Sequence, residues 1–100
     1  MSNLYIIGTL SRENVIEEVA LHYLRLGYSV SMVRKQPDKD KEYLIQQCFK
    51  NIENASRIVV IPHQDGTCGE GTQYEIAYAK LIEKRVSIWD ENKQNERNNI

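Results

Sequence analysis

The densest run of reactive side chains lies between His63 and Glu75, where Asp65-Gly66-Thr67-Cys68-Gly69-Glu70-Gly71-Thr72-Gln73-Tyr74-Glu75 leads out of an apolar segment. Its three glycines, Gly66, Gly69 and Gly71, let the backbone come close to a ligand, and free amides at the start of a following helix favour anionic groups. A sugar or a nucleotide is the kind of molecule that such a segment holds. Glu75 is the candidate nucleophile: near the positive end of the helix and beside a crevice, its carboxylate is expected to stay ionised. The spacing Thr72-x-x-Glu75 is also that of a capping box, in which each side chain satisfies the other residue's backbone amide, and the two roles are compatible. Asp65, Gly69, Gly71 and Thr72 are the ligand-contact candidates of this segment.

Other chemistries fit less well. His63, Asp65, Cys68 and Glu70 are metal-ligand types, but they lack paired or helical spacing, so no metal site is expected. A Cys68/His63 nucleophile pair has no more support than that. His22 reads as solvated helix surface, and Trp89 as core rather than a platform for stacking a base. There is no G-x-x-x-x-G-K-[ST] string, which excludes a P-loop nucleotidase, and no cofactor is expected.

The elements that must position Glu75 can be read from periodicity. Leu4 to Ile7, closed by Gly8, is a short buried strand. From Glu13 to Leu26 the positions Ile16, Val19, Ala20, Tyr23 and Leu24 form one helical stripe, with Gly27 as the residue past its end. Tyr28 to Val33 gives a second strand, and the polar stretch Arg34 to Lys41 with Pro37 must loop. Leu44, Cys48, Ile52 and Ala55 mark a second helix over about Lys41 to Asn54. Arg57 to Pro62 is an apolar strand needing cover on both faces, which makes it central. Thr72 to Glu83 is predicted as the third helix and Arg85 to Trp89 as the fourth strand. The chain is therefore one domain over 1–90, and the polar residues from 91 to 100 are expected to be a frayed tail.

This βαβαβαβ order predicts an α/β fold: a flavodoxin-like, Rossmann-like doubly wound parallel sheet of about four strands in the order 2-1-3-4, with three helices. The order reverses between the first and third strands, so the loops Gly8 to Arg12 and Pro62 to Gly71 are expected to flank the ligand crevice. Right-handed crossovers put the second and third helices on one face and leave the first alone on the other. Apolar surface of the third and fourth strands would then stay open there, and a homodimer or larger homo-oligomer is expected to cover it.

Composition narrows the classes. Charged residues make up 27% and are balanced to a net charge of -1, with no basic face, so nucleic acid is not an expected partner. No apolar run approaches the roughly 20 residues that cross a bilayer, so no membrane partner is expected either. Two cysteines without CxxC spacing read as free thiols in a reducing compartment, and a cytoplasmic location is expected.

The string Gly69-Glu70-Gly71-Thr72-Gln73-Tyr74-Glu75-Ile76-Ala77-Tyr78-Ala79, after an apolar strand introduced by Asn54-Ala55, resembles the signature of the nucleoside 2-deoxyribosyltransferase family and related deoxynucleotide N-hydrolases. Its Gly-x-Gly-Thr-x-x-Glu portion is also similar to the motif of cytokinin-activating phosphoribohydrolases. Tyr5-Ile6-Ile7-Gly8-Thr9 is similar to the family's opening strand, so the resemblance spans nearly the whole chain. It implies cleavage of an N-glycosidic bond, with Glu75 attacking the anomeric carbon and Tyr5 orienting it. It also implies that Gly8, Thr9 and Arg12 hold the sugar or its 5′-phosphate. The chain departs from the family at Cys48, seven residues before Ala55, where the family carries an aspartate that contacts the sugar or assists proton transfer to the base. Asp40, Asp65 and Glu70 are the carboxylates considered as substitutes.

A nucleoside or nucleotide N-glycosidic enzyme is thus the leading expectation. A module of the same fold that binds a nucleotide-derived ligand without cleaving it is the alternative, favoured by Cys48. An assembly subunit with an incidental crevice is a third reading.

Overall fold

Two stretches of this chain, Leu4–Ile7 and Ile58–Ile61, are apolar at every position, and they become neighbouring interior strands of a single sheet. The computed structural model describes residues 3–8, 10–32, 40–91, 93 and 95–97. Its elements in chain order are β1 (Asn3–Gly8), α1 (Glu13–Arg25), β2 (Ser29–Met32), α2 (Lys41–Asn54), β3 (Arg57–Ile61), α3 (Glu70–Leu81), β4 (Arg85–Asp90) and β5 (Asn95–Arg97). A single 3-10 turn, Leu10–Arg12, joins β1 to α1. Thr9, most of the loop between β2 and α2, and the extreme carboxyl end lie outside the described residues.

The sheet order is β2-β1-β3-β4-β5, and the first four strands are parallel, as the alternation of strand and helix predicts. β1 runs beside β3 from Leu4 opposite Arg57 to Gly8 opposite Ile61. Both strands are covered on each face, which is why they carry no polar alternation. One core holds Leu4, Ile6, Val59 and Ile61 under Ile16, Val19 and Tyr23 of α1. The other holds Tyr5, Ile7, Ile58 and Val60 under Ile52 of α2 and Ala79 of α3. Gly27, at φ 95°, lets the chain leave α1 in the left-handed conformation expected of the residue past a helix end.

Two expectations change here. Asn95–Arg97 is not a frayed tail: it pairs antiparallel with β4, with Trp89 opposite Glu96. An edge strand presents a row of unpaired backbone groups, and a short polar segment that follows a turn can satisfy them without an apolar pattern of its own. The surface that was expected to stay open on β3 and β4 is also closed, since Val59, Ile61, Ser87 and Trp89 are all buried within the one chain. Aromatic side chains extend the cover that α1 provides. His22 and Tyr23 lie edge-on to Trp89 at 5.1 and 6.0 Å, so His22 is half-buried against a ring rather than solvated. The Arg57 guanidinium lies 5.5 Å from both the Tyr23 and Tyr28 ring centres and donates to Tyr28 Oη at 2.8 Å. Among the described residues, the open apolar patch on which a homo-oligomer was expected is therefore absent. No helix among them is long and apolar enough to cross a membrane.

Gly8 matters first for packing. A Cβ at this position would lie 2.9 Å from Ile61 O and 3.1 Å from Ile61 Cβ, and the first of these is backbone of the neighbouring central strand. Gly8→Ala is expected to destabilise the fold by about 1–3 kcal/mol, the usual cost of overpacking. An unchanged midpoint in urea unfolding would contradict this.

Candidate active site

α2 and α3 lie on the same face of the sheet and are tied together along their carboxyl-terminal halves. Phe49 stacks on Tyr78 with centroids 4.4 Å apart, Tyr78 Oη donates to Glu53 Oε1 at 2.6 Å, and Lys84 Nζ donates to Glu53 O at 3.0 Å. Between their amino-terminal halves a cavity of about 500 Å³ remains. From α2 it is lined by Leu44, Ile45, Cys48 and Phe49. From α3 it is lined by Glu70, Gly71, Tyr74 and Glu75. A Cβ at Gly71 would meet nothing within 4 Å, so this glycine leaves space that packing does not claim.

Glu75 is the sixth residue of α3, because the helix begins at Glu70 rather than at Thr72. The N-cap is Gly69, which has no side chain to cap with, and its extended backbone lets the helix start two residues early. The capping box is therefore not formed: Thr72 is buried inside the first turn, and the Glu75 carboxyl is not tied to a cap. Glu75 Oε2 is instead buried with no hydrogen-bond partner.

That burial decides its charge. Loss of water pushes the Glu75 carboxyl up to about 7, against a smaller opposing pull from the Cys48 thiol. Its carboxylate is thus not held fully ionised at neutral pH, contrary to the expectation drawn from the helix end. The magnitudes explain the outcome. Raising the carboxyl from 4.5 to about 7 corresponds to a cost of about 3 kcal/mol to the charged form. A helix terminus returns only about 0.3–1 kcal/mol and fades beyond the first turn, which Glu75 has already passed.

Tyr5 on β1 is fully buried on the α2/α3 face, with its Oη close to Cys48 and Asn51 of α2. Burial drives the Tyr5 hydroxyl well above its ordinary range, and both Cys48 and Glu75 are near enough to raise it further. The Cys48 thiol is pushed up as well, by burial first, with Tyr5 pulling it back and Glu75 adding to the rise. Tyr5, Cys48 and Glu75 thus form one cluster at the cavity. It holds the two residues expected to be catalytic, together with the thiol that stands where an aspartate was expected.

The remaining candidates separate. Gly71 lines the cavity and Gly69 caps α3, but Asp65 is fully exposed and serves its own turn, accepting from Thr67 N at 3.0 Å and Thr67 Oγ1 at 2.6 Å. Those bonds lower the Asp65 carboxyl below the usual range. Asp40 is likewise committed, as the N-cap of α2 accepting from Tyr43 N at 2.8 Å. Arg12 is buried at the head of α1 and paired with Glu91, so it does not line the cavity, and neither does Gly8. Thr9 lies outside the described residues. Both cysteines are free, and among the described residues no three His, Cys, Asp or Glu side chains gather to hold a metal ion.

Leu44, Ile45, Phe49 and Tyr74, the apolar walls, were not among the sequence candidates. The signal was available on α2, whose apolar positions 44, 45, 48, 49 and 52 make a stripe wider than contact with the sheet alone requires.

No family model and no curated protein matches the chain. Among solved structures it is similar to the CMP N-glycosidase BcmB of Clostridium botulinum, with a TM-score of 0.65 and 17% identity, covering 86% of this chain and 69% of that one. At that identity the likeness shows a shared fold: the parallel 2-1-3-4 core with three helices.

The buried carboxyl makes a stability prediction. Glu75 binds its proton more tightly folded than unfolded, so its burial costs nothing below about pH 4.5 and progressively more as pH rises to about 7. Glu75→Gln is expected to match the parent protein in chemical unfolding at pH 4 and to exceed it at pH 8 by up to about 3 kcal/mol. Equal stabilities at both pH values would contradict the burial.

Proposed function

We propose that the chain breaks or transfers the N-glycosidic bond of a nucleoside or nucleotide, with Glu75 as the nucleophile. The observation that carries this reading is the buried Glu75 carboxyl, its Oε2 without a hydrogen-bond partner, at a cavity of about 500 Å³. A volume in this range suits a small molecule, and a carboxylate stripped of water is a stronger nucleophile than a solvated one. The likeness in fold to a CMP N-glycosidase supports the bond type.

In the first step an ionised Glu75 oxygen attacks the anomeric carbon as the bond to the base breaks, its electron pair passing to the base nitrogen, which takes a proton from water, and a glycosyl ester forms. Water or a second base then attacks the same carbon and frees the carboxylate, so the configuration is retained overall. Tyr5, sealed beneath Glu75 and near it, acts as a positioning residue for the carboxyl. The free thiols Cys48 and Cys68 suit a reducing, cytoplasmic setting.

A second reading is a module that binds such a ligand without cleaving it. What favours it is Cys48, a thiol with a raised pKa, in the place of a carboxylic acid.

Purified protein incubated with a panel of nucleosides and 5′-monophosphates, with and without an acceptor base, is expected to release free base measurable by chromatography. Glu75→Gln is expected to abolish that release while circular dichroism stays unchanged. In the parent protein kcat/KM is expected to rise with pH through about 7, because only the ionised carboxyl attacks. Base release undiminished in Glu75→Gln would refute the role of Glu75. Silence from both proteins, together with a saturable rise in melting temperature for one ligand, would establish the binding module.

A further inference from the structure

The cavity at Glu75 contains two carboxylates, Glu70 and Glu75, and no cationic side chain among the described residues that line it. Its walls are otherwise apolar, with aromatic rings from Phe49 and Tyr74. The buried cations Arg12 and Arg57 are engaged elsewhere, with Glu91 and with Tyr28. A site with this balance of charge and aromatic faces favours a planar cation over a neutral or anionic group.

Among the described residues, the same cavity sets no free carboxylic acid beside Glu75 to act as a proton donor. Cleaving a neutral base from a sugar leaves electrons on a nitrogen that normally must be protonated as the bond breaks, a step worth about 10²–10⁴ in rate when an acid is positioned for it. Here Cys48 and Tyr5 both hold their protons more tightly than usual because they are buried. Glu75 is engaged as the nucleophile, Asp40 caps α2, and Asp65 is held in its loop turn. Glu70 lies exposed at the cavity, where water surrounds it.

We infer that the preferred substrate is an N-glycoside whose leaving group is a cationic heteroaromatic ring, such as a pyridinium glycoside, which departs as a neutral ring without accepting a proton. This rests on the N-glycosidic reading above and narrows its substrate class. In the reaction a Glu75 oxygen forms a bond to the anomeric carbon, and the carbon–nitrogen bond breaks with its electron pair passing to the ring nitrogen, which loses its positive charge. Water then attacks the anomeric carbon, the ester bond breaks, and the carboxylate, the free sugar and one proton are released. The ring lies in the cavity against its aromatic lining, with the carboxylates balancing its charge until it leaves.

The test compares matched pyridinium (nicotinamide) and uracil N-glycosides, in both the ribose and 2-deoxyribose series and with and without a 5′-phosphate, each corrected for the rate with Glu75→Gln. The expected result is a kcat/KM at least about a hundredfold higher for the pyridinium member of a pair. Cys48→Asp, which restores an acid beside the nucleophile, is expected to narrow that gap tenfold or more by raising the uracil rate. A binding readout is independent of turnover and of whether that variant folds: N-methylnicotinamide, a cation, should raise the melting temperature of the parent protein, and neutral nicotinamide should not. Uracil glycosides cleaved as efficiently as pyridinium ones, or equal stabilisation by the two rings, would overturn this inference and leave the N-glycosidic reading standing. Cleavage of neither class would overturn this inference, and silence toward the whole nucleoside and nucleotide panel as well would overturn both.

Discussion

The pairing of β1 with β3 is the contact on which the rest of the molecule depends. Tyr5 opposite Ile58 and Ile7 opposite Val60 lie buried on the α2/α3 face, while Leu4 and Ile6 lie buried on the α1 face, so every helix packs on the same two strands. The pair also sets the site. It carries Tyr5 under the cavity, brings Gly8 hard against Ile61, and sends the chain from β3 through a short loop to the Gly69 N-cap from which α3 begins. A slip of one residue would turn Tyr5 to the opposite face and leave Glu75 without its neighbour.

Where the two crossover helices touch and where they do not then creates the cavity. Phe49, Glu53, Tyr78 and Lys84 join α2 and α3 at one end, and at the other end the apolar side chains of α2 face the opening turns of α3. Glu75 sits at the boundary between these regions. It is deep enough to lose its water, yet still faces the cavity. The attraction of the helix end is too small and too short-ranged to offset that loss, so the carboxyl holds a pKa of about 7. Such a group is half ionised near neutral pH.

The architecture was legible in the sequence because its signals are redundant. The stripe of Ile16, Val19, Ala20 and Tyr23, the unbroken apolar run at 58–61 and the left-handed exit at Gly27 each specify an element on local grounds, and α2 was readable to both ends. What was hidden depended on tertiary context. The start of α3 followed the backbone of Gly69 and not the more familiar Thr72-x-x-Glu75 spacing, because Thr72 is claimed by the core. β5 follows from the edge of β4, which no pattern in Asn95–Arg97 announces. In the site, Glu75, Tyr5 and Cys48 were identified and do come together, whereas Arg12 was drawn to Glu91, a partner 79 positions later in the chain. The ionisation of Glu75 could not be read from its position in the helix, since it depends on how completely α2 and the sheet exclude water.

The most direct test of this account is a nuclear magnetic resonance titration of the Glu75 side-chain carboxyl in carbon-13-labelled protein, assigned by its loss in Glu75→Gln. The account predicts a midpoint near pH 7, set apart from the solvent-exposed glutamates of the chain. A midpoint below about 5, in the range of an ordinary glutamate, would contradict the burial on which the site rests.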